Sequence, residues 1–135
     1  MSIIPEKADY QASRRGIYDK ITRLLDKNLP ASYQKVIVGF FYIKHSPIPT
    51  IRVFYKGYGD NTYTNLIVDS TFDQSVSDLS DLCEELKLSM KKCYDNWTSF
   101  TYTREHTGLF RAKFDYCEIE SVNHLFLLDW RSRYF

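Results

Sequence analysis

Residues 97–116 show the alternating pattern of two β-strands that are joined by a tight turn. In residues 98–104, Phe100 and Tyr102 alternate with small polar residues, and in residues 109–116 aromatic or small residues alternate with charged ones. A period of two is the signature of strands with distinct faces. Gly108 lies between the two arms, where a tight reversal needs a positive φ. The segment therefore predicts an antiparallel β-hairpin.

Three further strands are predicted before this hairpin. Tyr33–Ile43 is apolar at successive positions, which indicates a central strand that is covered on both faces. In Thr50–Lys56, apolar residues at 51, 53 and 55 alternate with Arg52, Phe54 and Lys56, and Thr62–Val68 is predicted as a third strand. Clusters of proline or glycine separate these segments and mark turns.

Helical spacing predicts three helices around these strands. The first begins at Ser13, as its cap, and ends near Asn28, before Pro30. The second runs from about Gln74 to Tyr94, with an apolar stripe at alternating spacings of three and four. That stripe comprises Val76, Leu79, Cys83, Leu86, Met90, Cys93 and Trp97. A short terminal helix is predicted after Ser121 as its cap, although a strand also fits this tail.

The predicted element order is helix, three strands, helix, two strands, helix. Short hairpin-like connections favour an antiparallel sheet, so the fold class is α+β, with about five strands and helices packed on the sheet. The 135 residues correspond to a single domain, in which Met1–Gln11 is expected to be a loosely ordered lead.

Charge is unevenly distributed, although the net charge is only +1. Residues 57–86 contain seven acidic residues and no lysine or arginine. One explanation is structural, since carboxylates at the start of a helix interact favourably with its dipole. The other is functional, since carboxylates without neighbouring cations favour association with a basic partner.

No pattern of reactive residues indicates an enzyme, a metal site or a cofactor site. His45, His106 and His124 lack metal-ligand spacing, and no nucleophile or phosphate-loop motif is found. Cys83 and Cys93 fall in the apolar stripe and are interpreted as core residues, and Cys117 lacks an activating neighbour. The alternative of an enzyme whose active site is assembled only by the fold stays open. A pocket that holds His106 or His124 beside a carboxylate would favour it.

Nucleic-acid binding is a second alternative. Basic and aromatic residues on the predicted strands suit a platform for single-stranded nucleic acid, namely Arg52, Tyr55, Lys56, Arg111 and Lys113. The low net charge and the absence of an RNA-recognition motif argue against it. No segment has the length or apolarity of a membrane span or a signal peptide, and three cysteines without evident pairing suit a reducing compartment, so we expect a cytoplasmic protein.

The hairpin also resembles the YezG-like family of bacterial antitoxin or immunity proteins. The resemblance rests on the segments 97–102, 108–110 and 113–116, and on Trp130 followed by basic and tyrosine residues at 131–134. The first helix, the strand ending at 53–56 and the acidic helix agree in outline. The chain departs from the family in being nearly neutral, where the family tends to be acidic, and in its apolar tail at 125–128.

The resemblance implies a non-catalytic cytoplasmic protein that binds and neutralises a cognate toxin. Such toxins are often nuclease domains at the C-terminus of a larger protein, delivered by a secretion system or by contact between cells. We expect acidic residues to meet a basic toxin cleft, with exposed tyrosines as apolar anchors. The expected contact residues are Asp73, Asp78, Asp81, Glu84, Glu85, Tyr58 and Tyr63. The patterns leave open whether the chain forms homo-oligomers.

Overall fold

The computed structural model describes residues 3–31, 33–68 and 73–135, and it describes side chains within 14–31, 33–67 and 74–135. The helices are α1 (Ile3–Asn28), α2 (Asp73–Lys91) and α3 (His124–Tyr134). The strands are β1 (Tyr33–Phe41), β2 (Thr50–Gly57), β3 (Thr64–Asn65), β4 (Ser99–Glu105) and β5 (Phe110–Asp115). This order confirms the predicted α+β fold class and its single layered domain.

The five strands form one antiparallel sheet in the order β3-β2-β1-β4-β5. β1 is the central strand and pairs with β2 on one side and with β4 on the other. Residues 36–41 of β1 are all buried, which confirms the prediction from their continuous apolar pattern that both faces are covered. The 97–116 hairpin is present as β4 and β5, with Gly108 at φ +92° in its turn.

α1 and α2 cover one face of the sheet and enclose the larger core. α1 contributes Ile17, Ile21 and Leu25, which lie one helical turn apart on a single face. From the sheet, Phe40, Phe100 and Phe114 form a ladder of stacked rings whose neighbouring centroids are 5.3 and 5.0 Å apart. Trp97 closes this core beside α2, where its Nε1 donates a hydrogen bond to Met90 Sδ at 3.1 Å.

α3 packs on the opposite face, against Ile37, Phe41 and Phe54 of β1 and β2, and it also bonds to Thr101 of β4 and Asp115 of β5. A smaller core there contains Ile37, Phe41, Phe54, Ile119 and Trp130. The rings of Phe41 and Trp130 meet edge to face, with centroids 5.3 Å apart. In the described part of the chain, the portion of β4 and β5 beyond the end of α3 is left as an open groove on this face.

The first helix begins earlier than the sequence pattern predicts. α1 starts at Ile3, so Ser13 lies within the helix and is not its cap. Pro5 lies in the first turn, where its missing N–H removes no helical hydrogen bond. Most of the predicted lead, Met1–Gln11, is therefore helical backbone, while Met1 and Ser2 are outside the described residues.

The third strand is shorter than predicted. β3 contains only Thr64 and Asn65, and a 3₁₀ helix follows at Leu66–Val68. Asn65 Oδ1 accepts a hydrogen bond from the Ile67 N–H at 3.1 Å, an Asx turn that diverts the chain from the extended conformation.

Two end positions of helices also differ from the prediction. Asn123, not Ser121, caps α3, because its side chain accepts a hydrogen bond from the Phe126 N–H at 2.9 Å. α2 ends at Lys91, and Tyr94 takes a left-handed φ of 64°. Cys93 therefore leaves the apolar stripe and is exposed, so its interpretation as a core residue is wrong, whereas Cys83 is fully buried.

Candidate functional site

The solvent-facing side of α2 carries the acidic residues that the sequence predicts as partner contacts. Leu79, Cys83, Leu86 and Met90 face the core, and helical geometry then turns the intervening acidic positions away from it. Asp81 and Glu85 are exposed, while Asp78 and Glu84 are half-buried. We call these four residues, Asp78, Asp81, Glu84 and Glu85, the acidic face. Asp73 begins α2, and its side chain lies outside the described residues.

The carboxylates of the acidic face are not neutralised by the described part of the chain. None of them forms an ion pair there, and Asp78 Oδ1 accepts a hydrogen bond only from the neutral Gln74 Nε2, at 3.3 Å. Leu88 follows on the same side of the helix and is 62% exposed. The face thus combines negative charge with an exposed apolar side chain.

Lys87 does not compensate this charge, although it lies in the same helix. Its ammonium group approaches the rings of Trp97 and Tyr42, with Nζ 4.7 and 5.3 Å from the ring centroids, and it donates a hydrogen bond to the Trp97 carbonyl. Burial lowers the pKa of Lys87, chiefly by penalising its charged form. Its charge is directed into the structure and away from the acidic face.

The two tyrosines predicted as anchors lie elsewhere on the molecule. Tyr63 packs against Phe135 at a centroid distance of 4.4 Å, within the core on the α3 side of the sheet, opposite to α2. Tyr58 is 56% exposed and meets the His106 ring at 5.2 Å, at the end of the sheet where Tyr33 pairs with Gly57. The structure brings together the four acidic residues of α2, but it does not bring Tyr63 to them.

A second charged surface occupies the part of the sheet that α3 leaves uncovered. A groove of about 590 Å³ lies there, between β4, β5 and the end of α3. Its lining includes four basic residues and one acidic residue, namely Lys35, Arg111, Lys113, Arg133 and Glu105. We call it the basic groove. Sequence reasoning singled out Arg111 and Lys113, but it missed Lys35 and Arg133, which only the fold brings near them.

Contacts at the α3 end hold one wall of the basic groove in position. Lys35 Nζ donates a hydrogen bond to the Tyr134 carbonyl at 3.1 Å. Tyr134 Oη donates to Asp115 Oδ2 at 3.1 Å, and Arg133 Nη1 lies 3.6 Å from Asp115 Oδ1. The wall is therefore tied to both β1 and β5, which makes the groove a preformed feature of the fold.

The residues of the nucleic-acid alternative do not form one platform. Arg111 and Lys113 line the basic groove on the α3 side, whereas Tyr55 packs against the core on the opposite face. A stacking platform needs aromatic rings beside the cations. The groove offers only Tyr134, whose hydroxyl group is bonded to Asp115.

The structure also locates the reactive side chains. His106 lies in the β4–β5 turn and His124 begins α3, both exposed, and neither lines the basic groove. Burial raises the pKa of the Cys83 thiol to about 12, which suits an inert core residue. Within the described ranges no cluster of histidine, cysteine or carboxylate side chains could hold a metal ion. In that same part of the chain, no helix has the length and apolar character required to cross a bilayer.

Comparisons with known proteins agree with the family resemblance that the hairpin carries. No curated protein matches the chain at a significant level. A family model, that of the YezG-like immunity protein, matches residues 15–128. The match spans most of the chain, from α1 through the hairpin and into α3. The chain therefore belongs to the YezG-like immunity protein family.

Proposed function

We propose that this protein binds and neutralises a cognate bacterial toxin domain by forming a stoichiometric complex with it in the cytoplasm. The family assignment supports an immunity role. We further propose that the toxin is a nuclease domain, delivered by a secretion system or by contact between cells. In this role the protein acts by occupying a surface of the toxin and performs no catalysis.

The observation that carries the nuclease proposal is the unneutralised acidic face of α2. A nuclease must hold a phosphate backbone, so its substrate cleft carries lysine and arginine side chains. A helix with carboxylates on successive turns presents a complementary charge pattern, which accelerates association and selects against acidic partners. Leu88, exposed on the same side, supplies apolar contact area within the charged surface.

Exposed charge alone has a structural explanation as well, since acidic residues near a helix start interact with its dipole. That explanation covers Asp78 better than Glu84 and Glu85, because the dipole effect fades beyond the first turn of the helix. α2 begins at Asp73, so Glu84 and Glu85 lie in its second half. A role in partner binding accounts for carboxylates at these later positions.

The direct test is to co-express this chain with the protein encoded immediately upstream of its gene. We expect a complex that co-purifies, together with rescue of growth from the toxicity of the C-terminal domain of that protein. Absence of both the complex and the rescue would refute the proposed function. A nuclease assay of the isolated toxin domain, with and without this chain, tests whether the neutralised activity is that of a nuclease.

The role of the acidic face is tested by the double charge reversal Asp78→Lys with Asp81→Lys. We expect affinity for the toxin to fall at least about tenfold, a loss of ~1.4 kcal/mol or more, and its dependence on salt to become weaker. Asp19→Lys with Glu118→Lys is the matched control, because both residues are exposed, lie outside α2 and change the net charge equally. Unchanged affinity and salt dependence in the α2 variant would show that the acidic face is not the contact surface.

A further inference from the structure

β5 is an edge strand, and no strand among the described residues pairs with its outer side. The β4–β5 register is regular from Ser99 opposite Asp115 to Arg104 opposite Phe110, without a bulge. The Glu105 N–H donates a hydrogen bond to the Leu109 carbonyl at 2.8 Å, so Glu105 and Leu109 are a hydrogen-bonded pair of the ladder. Opposed pairs in an antiparallel ladder alternate between bonded and non-bonded. The N–H and C=O groups of Phe110, Ala112 and Phe114 therefore point away from β4, toward the open edge.

These outward backbone groups have no hydrogen-bond partner in the described part of the chain. Natural edge strands are commonly protected by a proline, a bulge, a covering element or charged side chains. Of these, β5 carries the charged side chains Arg111 and Lys113, which disfavour basic strands and leave pairing with an acidic strand possible. β5 contains no proline and no bulge, and on the α3 side its face is open. It is a continuous template of six residues for a further strand.

The basic side chains beside this edge favour an acidic ligand. Arg111 and Lys113 stand on the open face and form no ion pair with the described residues, whereas Lys35 bonds to the Tyr134 carbonyl and Arg133 pairs with Asp115 and Asp129. A strand added to β5 would place its own side chains about 5 Å from Arg111 and Lys113 on that face. Because strand side chains alternate between faces, every second residue of the added strand would meet a cation.

We propose that the β5 edge and the basic groove together bind an extended acidic segment of a protein, which adds to the sheet as a sixth strand. Acidic residues at alternate positions of this segment lie over Arg111 and Lys113, and its backbone bonds to Phe110, Ala112 and Phe114. The segment belongs to the toxin partner, an assignment that rests on the proposed function. The toxin would then contact this protein through two surfaces of opposite charge.

A protein segment fits this site better than a nucleic acid does. A nucleic acid would use the cations of the groove, but it would leave the strand edge unused, and Tyr134 is the one aromatic residue among those that line the groove in the described part of the chain. The extended backbone of a peptide uses both features, since main-chain bonds supply affinity and alternate side chains supply selectivity.

The binding test uses the full-length chain and a short synthetic peptide in which glutamate alternates with valine. We expect the peptide to bind, to slow amide hydrogen exchange at Ala112 and Phe114, and to bind less tightly as salt is added. The same peptide with lysine in place of glutamate is the control and should not bind. Failure of the glutamate peptide to bind, equal binding of both peptides, or binding without protection of these two amides would overturn the proposal.

Two variants separate the contributions of charge and edge. Arg111→Glu with Lys113→Glu should weaken binding of the glutamate peptide at least about tenfold. Its matched control, Lys20→Glu with Arg23→Glu, alters exposed residues of α1 by the same charge and should not weaken binding. Ala112→Pro removes an outward N–H without breaking the ladder to β4, so it should abolish binding while circular dichroism and thermal unfolding stay close to wild type. Retention of peptide binding in either β5 variant would overturn the proposal.

A further pair of measurements distinguishes this proposal from its alternatives. Oligothymidylate binding that is lost in the Arg111→Glu, Lys113→Glu variant, without any binding of the glutamate peptide, would identify the groove as a nucleic-acid site and overturn the proposal. If wild type forms the toxin complex and Ala112→Pro forms it with equal affinity, the toxin is not the source of the segment. If wild type forms no toxin complex at all, the proposed function fails, while the peptide result stands by itself.

Discussion

Trp130 Nε1 donates a hydrogen bond to Thr101 Oγ1 at 3.0 Å, in the core between α3 and the sheet. Both residues are buried, and the indole ring also contacts Phe41 and Phe54. The bond fixes the terminal helix against β4. Residues of β4, including Thr101, and of β5 line the basic groove. One buried polar contact thus connects the stability of the C-terminal helix with the shape of a candidate binding surface.

Substitutions at this pair should reveal its contribution to stability. Trp130→Phe removes the hydrogen bond and part of the buried ring, so we expect the free energy of unfolding to fall by about 2–4 kcal/mol. Thr101→Val keeps the shape but leaves the indole N–H without this acceptor, at a cost of about 1–3 kcal/mol. Urea denaturation measures both, and a Thr101→Val variant as stable as wild type would show that the bond is not needed.

Gly39 in β1 should not tolerate even a methyl group. A Cβ atom placed there would lie 2.8 Å from Trp130 Cζ2 and would also overlap the Phe41 ring. Because both rings are buried and cannot move into solvent, we expect Gly39→Ala to lower the free energy of unfolding by about 1–3 kcal/mol.

Gly16→Ala is the matched control for Gly39→Ala. A Cβ atom at Gly16 meets no atom within 4 Å, and the position lies inside α1. Alanine is favoured over glycine there by about 0.5–1 kcal/mol, so this variant should be more stable than wild type. Equal effects of the two substitutions in thermal unfolding would contradict the packing described for Gly39.

Tyr94 should be a position at which glycine stabilises the fold. The residue follows α2 with a φ of 64°, and its side chain is 99% exposed, so no packing compensates the strained backbone. The left-handed conformation costs a residue with a Cβ about 1 kcal/mol relative to glycine. We expect Tyr94→Gly to be more stable than Tyr94→Ala by about this amount in denaturant unfolding, and equal stability of the two would be the contrary result.

The buried thiol of Cys83 should make stability sensitive to alkaline pH. Its Sγ lies 3.9 Å from Tyr42 Oη, and burial raises the pKa of the thiol from 9.0 to about 12. Above about pH 9 the unfolded chain releases this proton while the folded protein retains it. The free energy of unfolding should therefore be highest below this pH and decline as the pH rises toward 12, by up to about 1.4 kcal/mol per pH unit for this group.

The substitution Cys83→Ala tests whether the Cys83 thiol causes this loss of stability at alkaline pH. The variant should be less stable at neutral pH, because it leaves a small cavity, but its stability should decline less between about pH 9 and 10. Cys93→Ala, which removes an exposed thiol, is the control for the substitution itself. A decline in Cys83→Ala as steep as that of wild type would assign the pH dependence to other groups, among them the buried tyrosines whose pKa is also raised.

The sequence was sufficient to predict the layered sheet and its helices because each depends on local periodicity. The alternation in 97–116 and the continuous apolar run in β1 predicted a hairpin and a central strand, and both are present. The ends of elements were less predictable, since Ser121 and Asn123 are equally good caps by residue type. Which of them caps α3 depends on how Phe126 and Trp130 meet Phe41.

For the candidate site, helical periodicity was enough to place Asp78, Asp81, Glu84 and Glu85 on one side of α2, because they belong to a single helix. Tyr63 illustrates what periodicity could not decide, since its side of the sheet depends on where α3 and Phe135 pack. The basic groove exists because the sheet order sets β1 beside β4 and because the end of α3 leaves part of β4 and β5 uncovered. Local patterns thus determined the elements and their buried faces, whereas the joining of Lys35, Arg111, Lys113 and Arg133 required contacts between residues distant in the chain.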